Sequence, residues 1–311
     1  MKNVIITGGT GFLGRNMIQR LCREGYQVWA VVRPDSPNAA LLPQCDALHV
    51  LPLSLDRAET AIDLFPQDCE AFFHFAWRGV NRKEIDNDLV QRANIDLSLK
   101  AVDLASRLGC ACFVFSGSRS EYGALQGRYR ETAECLPLVA YGKAKLEFGR
   151  QAAAICRKHG MRYLHARIFS VYGPGDHPWS LIQTTLRHML RDEPIDLSLC
   201  TQLWNYIDVR DMADLMLTML QKRSEIPSED SGIFNVASND IRPLRDFVEE
   251  MRSITQTKSE LRYGAYRQSV ESAQSLVPDM EKVERILNWQ SKIPFSVGIR
   301  HLIEHMEEND A

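Results

Sequence analysis

The stretch Thr7-Gly8-Gly9-Thr10-Gly11-Phe12-Leu13-Gly14 sets glycines at 8, 11 and 14, between the apolar run Val4 to Thr7 and an amphipathic stretch from Leu13 to Arg23. A GxxGxxG loop between a strand and a helix has a definite physical use. Glycine at the turn lets the backbone come close to a diphosphate, and the helix start offers unpaired N–H groups. The last glycine lets the helix pack tightly on the sheet. The bland alternative is a tight strand–helix turn without a ligand. The βαβ setting favours a dinucleotide.

Outward from this loop the same alternation continues. Gln27 to Val32, Leu48 to Leu51, Ala71 to Phe75 and Cys112 to Ser116 read as buried strands. Helical stretches fall at Ala58 to Leu64, Leu89 to Leu108 and Ala140 to Lys158, and Tyr163 to Phe169 reads as a further strand. Such alternation predicts a Rossmann-like, doubly wound parallel sheet with right-handed crossovers. The rhythm breaks at Tyr172-Gly173-Pro174-Gly175. Beyond it come a helix around Leu181 to Arg191, a short strand near Asp196, a helix from Arg210 to Gln221 and a strand at Ile233 to Val236. From Pro243 onward the chain is mainly helical. The expected organisation is a dinucleotide-binding lobe of residues 1–170, to which 205–240 return. A smaller α/β substrate lobe is expected from 171–204 and 241–311.

Composition narrows the class. The chain has 311 residues, 45% hydrophobic and 25% charged, with 37 basic against 40 acidic side chains. A formal net charge of −3 gives no reason to expect nucleic acid or an anionic membrane surface as a partner. No apolar stretch approaches the ~20 residues that a membrane span needs. The start shows no signal-peptide pattern, and the 8 cysteines lack metal-ligand spacing. They read as reduced thiols of a cytoplasmic protein without a metal site.

Val31-Val32-Arg33-Pro34 ends the second predicted strand, where a dinucleotide presents its adenosine ribose. An acidic residue there would take the ribose hydroxyls of NAD, whereas arginine suits the 2′-phosphate of NADP. Arg33 therefore favours NADP(H), with NAD(H) as the alternative if Arg33 merely faces solvent.

Tyr141 and Lys145, spaced by four, share a face of the helix that starts at Ala140. A free phenol, with a pKa near ~10, is a poor acid–base group at neutral pH. An adjacent ammonium would bring it towards working range. Ser118, just beyond the fifth strand, supplies a hydroxyl to orient a reacting oxygen. YxxxK alone is common on helix surfaces; following the glycine loop and a serine-bearing strand, it points to catalysis.

With these motifs in place the chain resembles the extended short-chain dehydrogenase/reductase family, in its branch of nucleotide-sugar epimerases, dehydratases and reductases. The resemblance rests on TGGTGFLG at 7–14, HFA at 74–76, Asn94, SGSRSEYG at 116–123, YGKAK at 141–145 and RIFSVYGPG at 167–175. YIDVRDMA at 206–213 and LNW at 287–289 carry it nearly end to end. It implies Ser118, Tyr141 and Lys145 as catalytic residues and a homodimer formed through helices. For the cofactor it implies Gly8, Gly11, Phe12, Leu13, Gly14, Leu55, His74, Ala76, Asn94, Ser116, Phe169 and Val171, beside Arg33, Tyr141 and Lys145. His74 reads equally well as a satisfied core histidine. Candidate contacts to a nucleotide-sugar substrate are Trp77, Arg119, Ser120, Ser170, Trp204 and Arg267.

Departures from the family pattern narrow the reaction. Arg119 and Ser120 stand where 4,6-dehydratases carry Asp-Glu, and Ser120 also replaces the cysteine of reductases that epimerise at two carbons. Ser170 replaces a frequent asparagine and Trp204 a frequent arginine, so either the substrate diphosphate has another cation, with Arg267 and Arg187 as candidates, or the substrate is not a sugar nucleotide. The expected reaction is reduction of a 4-keto-6-deoxy nucleotide sugar at C4. The rivals are a C4 epimerase with retained NAD and a catalytically idle, cofactor-sensing relative.

Overall fold

A computed structural model describes residues 2–125, 127–266 and 274–310. In chain order the strands are β1 (Asn3–Thr7), β2 (Gln27–Val32), β3 (Leu48–Pro52), β4 (Ala71–His74), β5 (Cys112–Ser118), β6 (Arg162–Ile168), β7 (Val171–Tyr172), β8 (Ile195–Leu197), β9 (Leu203–Asn205), β10 (Ile207–Asp208), β11 (Ile233–Val236), β12 (Ile241–Pro243) and β13 (Leu261–Tyr263). The helices are α1 (Phe12–Arg23), α2 (Asp88–Arg107), α3 (Ala140–Lys158), α4 (Leu181–Leu190), α5 (Val209–Gln221), α6 (Leu244–Thr255), α7 (Glu281–Leu287) and α8 (Phe295–Asp310). The expected helix at Ala58 to Leu64 is instead a 3₁₀ segment, Leu55–Leu64.

Seven strands form one parallel sheet in the order β11-β6-β5-β4-β1-β2-β3. The central strands β4 and β5 are buried along their whole length, as expected where helices cover both faces. One face carries α1 and α5 over Val4, Ile6, Ile18 and Met216; the other carries α2 and α3 over Ile5, Phe72, Phe113 and Phe148. Removing one such phenylalanine would cost about 3–5 kcal/mol. The strand order reverses between β1 and β4, and the crevice at that switch point is where ligands of such folds bind.

A third core gathers Tyr172, Ile182, Leu186, Ile195, Phe247, Met251, Phe295 and Ile299 from the later segments. Leu276, Met280, Val283, Leu287 and Trp289 pack in one core with residues of the sheet. The reason is α7, which lies against β11. Among the described residues no helix is long and apolar enough to cross a membrane.

Candidate functional site

The glycine loop is built as its sequence demands. Gly8 has φ +72°, a left-handed conformation that L side chains rarely adopt, and a Cβ there would stand 2.5 Å from the Ala76 backbone nitrogen. Gly14 is tighter still, with a virtual Cβ 2.2 Å from the Gly8 carbonyl oxygen. Gly11 caps α1 without a side-chain hydrogen bond, and the first turn holds no acidic residue. The orphan N–H groups of that turn are therefore left for an anion.

Two connected grooves run from the loop. The larger, ≈ 930 Å³, is walled by Gly8, Gly11, Arg33, Leu55, Ala76, Trp77 and Asn94 among others. The smaller, ≈ 340 Å³, is walled by Phe12, Leu13, Gly14, Ser116, Ser118, Tyr141, Lys145, Phe169 and Val171. Both include Gly8, Gly11, Phe75 and Trp77, so they form one cleft suited in shape and chemistry to an extended dinucleotide. Arg33 is exposed on the wall of the larger part, near the Thr10–Ser36 hydroxyl pair.

Of the two readings open for His74, the structure matches the core histidine. Its ring lies in the core, hydrogen-bonded to Thr7 Oγ1 at 2.7 Å and to Ser98 Oγ at 2.8 Å, and burial pushes its pKa down to about 3. It is a satisfied neutral core histidine; only its carbonyl faces the site strand, accepting from Ser116 Oγ at 3.0 Å. Asn94 acts through its neighbours, binding both the N–H and the carbonyl of Arg78 at 2.9 Å and so shaping the wall.

The start of α3 is pinned from outside. The Ala140 and Tyr141 N–H groups donate to Asp86 Oδ1 and to the Ile85 carbonyl, both at 2.9 Å, which fixes where Tyr141 enters the pocket. Lys145 is buried one turn later. Its ammonium donates to the Ser116 carbonyl at 2.6 Å and lies 4.1 Å from the Trp77 ring centroid, 4.8 Å from Phe115 and 5.7 Å from the Tyr141 ring. Burial brings its pKa down to about 7. Burial also pushes the Tyr141 phenol up to about 12, against a hydrogen bond with Ser118 that lowers it. The lysine is turned toward Ser116 and an aromatic cage, and desolvation of the phenol dominates.

Among the candidate substrate contacts, Trp77 donates its indole N–H to Gln91 and belongs to the walls of both grooves. Arg119 lies 6.0 Å above the Trp204 ring, and the Ser120 N–H donates to Ser118 Oγ at 3.2 Å. The Ser170 carbonyl accepts from Ile207 at the β7–β10 junction. Arg187 donates to the Pro178 carbonyl at 2.9 Å. Arg267 lies outside the described residues. Sequence reasoning passed over Asp176 and His177, which wall the smaller groove just past the Gly-Pro-Gly breaker. It also passed over Glu121, although an acidic residue beside Arg119 in a hydroxyl-rich turn was a usable signal.

The comparisons with known proteins agree with this fold. A family model described as the NAD dependent epimerase/dehydratase family matches residues 4–237. Among curated relatives, dTDP-6-deoxy-L-talose 4-dehydrogenase (NAD(+)) of Aggregatibacter actinomycetemcomitans is 26% identical over 270 residues, 85% of this chain and 94% of that protein. CDP-abequose synthase of Salmonella muenchen is 20% identical over 308 residues, 98% of both. Of solved structures, UDP-glucose 4-epimerase of Thermotoga maritima superposes with a TM-score of 0.85 at 22% identity, covering 99% of this chain and 100% of that one, a likeness of fold. With the model spanning the whole sheet and the glycine loop, the chain belongs to the NAD-dependent epimerase/dehydratase family.

Proposed function

We propose that the protein reduces a 4-keto-6-deoxy nucleotide sugar at C4 with NAD(P)H, and that it works as a homodimer through α2 and α3. The observation that carries the reading is that Ser118, Tyr141 and Lys145 wall one small pocket opening from the glycine-loop groove. A bound nicotinamide dinucleotide would supply the hydride. The protein does the rest. The Ser118 hydroxyl orients the substrate carbonyl, and the Tyr141 phenol, kept protonated by burial, gives its proton to the forming alkoxide. Lys145 holds the ribose side of the pocket, with its amino group 5.7 Å from the ring of Tyr141. Arg33, on the wall of the larger groove, supports NADPH as the preferred donor.

Dehydration is disfavoured by the same geometry. The one carboxylate of the turn after Ser118 is Glu121, fully buried and bonded to His165 and Arg167, hence unable to carry protons to and from a substrate. Two of the relatives named above, a dTDP-6-deoxy-L-talose 4-dehydrogenase and a CDP-abequose synthase, support chemistry at the sugar of a nucleotide sugar. The test is a panel of 4-keto nucleotide sugars offered with NADPH and with NADH, read at the nicotinamide absorbance. Oxidation of the reduced cofactor by a 4-keto substrate is the expected outcome. Interconversion of 4-epimers with no net cofactor change would show the epimerase reaction instead.

A further inference from the structure

Behind the strand end that carries Ser118 lies a buried charged cluster that the proposed chemistry does not use. Glu121 Oε1 accepts from the Ser118 backbone N–H at 2.7 Å and from His165 Nε2 at 2.9 Å, while Oε2 accepts from Arg167 Nε at 3.1 Å. His165 and Arg167 lie two apart on β6 and share a face, in register with Phe115 and Gly117 of β5. Gly117 makes the room, since a Cβ there would stand 2.1 Å from His165 Nε2 and 2.5 Å from Glu121 Oε1. The far side is closed as well. Tyr163 Oη lies 3.2 Å from His165 Nδ1, and Arg167 donates to the Glu131 carbonyl with its guanidinium 4.4 Å over the Tyr122 ring. Burial pushes the Glu121 carboxyl up, yet His165, Arg167 and the Ser118 N–H outweigh it and hold the group below the ordinary carboxylate range. A buried ion cluster of this kind is weak evidence for stability, because well-packed apolar groups often serve as well. Its contact with the serine suggests a different use.

We propose that Glu121 is a positioning residue: held by His165 and Arg167, its carboxylate fixes the turn after β5 and aims the Ser118 hydroxyl at Tyr141. The proposal rests on the catalytic reading of Ser118 and Tyr141 given above. The route is a reciprocal capping box. Glu121 takes the Ser118 N–H, and Ser118 Oγ in turn accepts the Ser120 N–H at 3.2 Å. With that lone pair occupied, the hydroxyl proton of Ser118 is left to be donated toward the reacting oxygen.

The test is a double-mutant cycle. Glu121→Gln keeps the size and one acceptor oxygen but removes the charge that holds β6. It should bind NADPH within ~3-fold of wild type and lose ~10- to 100-fold in kcat with KM little changed. In the Ser118→Ala background the same change should cost less than ~2-fold further, because the effect runs through the serine. Full additivity, or an unchanged kcat in the single variant, overturns the proposal. Should Glu121→Gln fail to fold, Glu121→Asp retains the charge but is too short to reach Ser118 and β6 together. It must show the same kcat loss, again absent without the Ser118 hydroxyl. Crystal structures of the wild type and the folded variant give a readout free of turnover. The Ser118 Oγ to Tyr141 Oη separation should change by ~1 Å, a displacement large enough to matter for catalysis, and an unchanged separation overturns the proposal. Failure of the underlying catalytic reading looks different: Ser118→Ala and Tyr141→Phe would themselves keep the wild-type rate.

Discussion

Arg33 and Lys145 sit at opposite ends of the cleft, and each makes a separable prediction. Arg33 is exposed on the wall of the larger groove, where a guanidinium would meet a 2′-phosphate with charge-assisted hydrogen bonds. Wild type should therefore bind NADPH more tightly than NADH, and Arg33→Asp should reverse the order by adding a like charge. Titration of both cofactors against both proteins checks this, and equal wild-type affinities would remove the assignment. Lys145 makes a prediction about pH. Its pKa falls from 10.5 to about 7 on burial. Below about 7 the folded protein carries the buried charge; above it the folded lysine is neutral while the unfolded one keeps its proton. Stability contributed by this group rises with pH between about 7 and 10.5. Lys145→Met abolishes the titration, so without cofactor the variant should be more stable than wild type near about pH 6, on the order of 2–4 kcal/mol. The gap should shrink towards about pH 10. Denaturant unfolding across that range decides, and a gap independent of pH contradicts the assignment.

At the scale of elements, α1 depends on backbone contacts that no side chain can replace. A Cβ at Gly14 would meet the Gly8 carbonyl oxygen at 2.2 Å, whereas one at Gly11 would meet the same atom at 3.3 Å. Gly14→Ala must push α1 off the loop, and Gly11→Ala needs only a small adjustment. The first should cost far more cofactor affinity and thermal stability than the second, measured by titration and thermal unfolding; equal effects would show that the loop is not the anchor. Because this loop and the alternating apolar runs are local patterns, most of the sheet was legible in the sequence. The exceptions have physical causes. Leu55–Leu64 closes as a 3₁₀ segment, a distinction that apolar spacing over so short a stretch does not make. The fate of His74 depended on Thr7 and Ser98, which only the fold brings to it. Spacing singled out Tyr141, Lys145 and Ser118, which wall one pocket, but not the direction of the Lys145 ammonium, since Trp77 and the Ser116 carbonyl come from other elements. The packing of α7 against β11 was hidden for the same reason.

At the scale of the molecule, α2 and α3 cover one face of the sheet and leave their outer sides to solvent, with Leu89 81% exposed. The proposed homodimer would cover those faces across a two-fold axis. Light scattering should give twice the chain mass at micromolar concentration, and a monomer would contradict the assembly. In the proposed hydride-transfer cleft, the binding of the dinucleotide and the movement of the proton belong to different residues. Tyr141→Phe separates them most directly, because it keeps the ring and its packing and deletes only the ionisable hydroxyl. On a 4-keto nucleotide sugar that the wild type turns over, the variant should stay folded, bind cofactor nearly as wild type and lose ~10² to 10⁴ in kcat. Retention of most of the wild-type rate by Tyr141→Phe would contradict the mechanism.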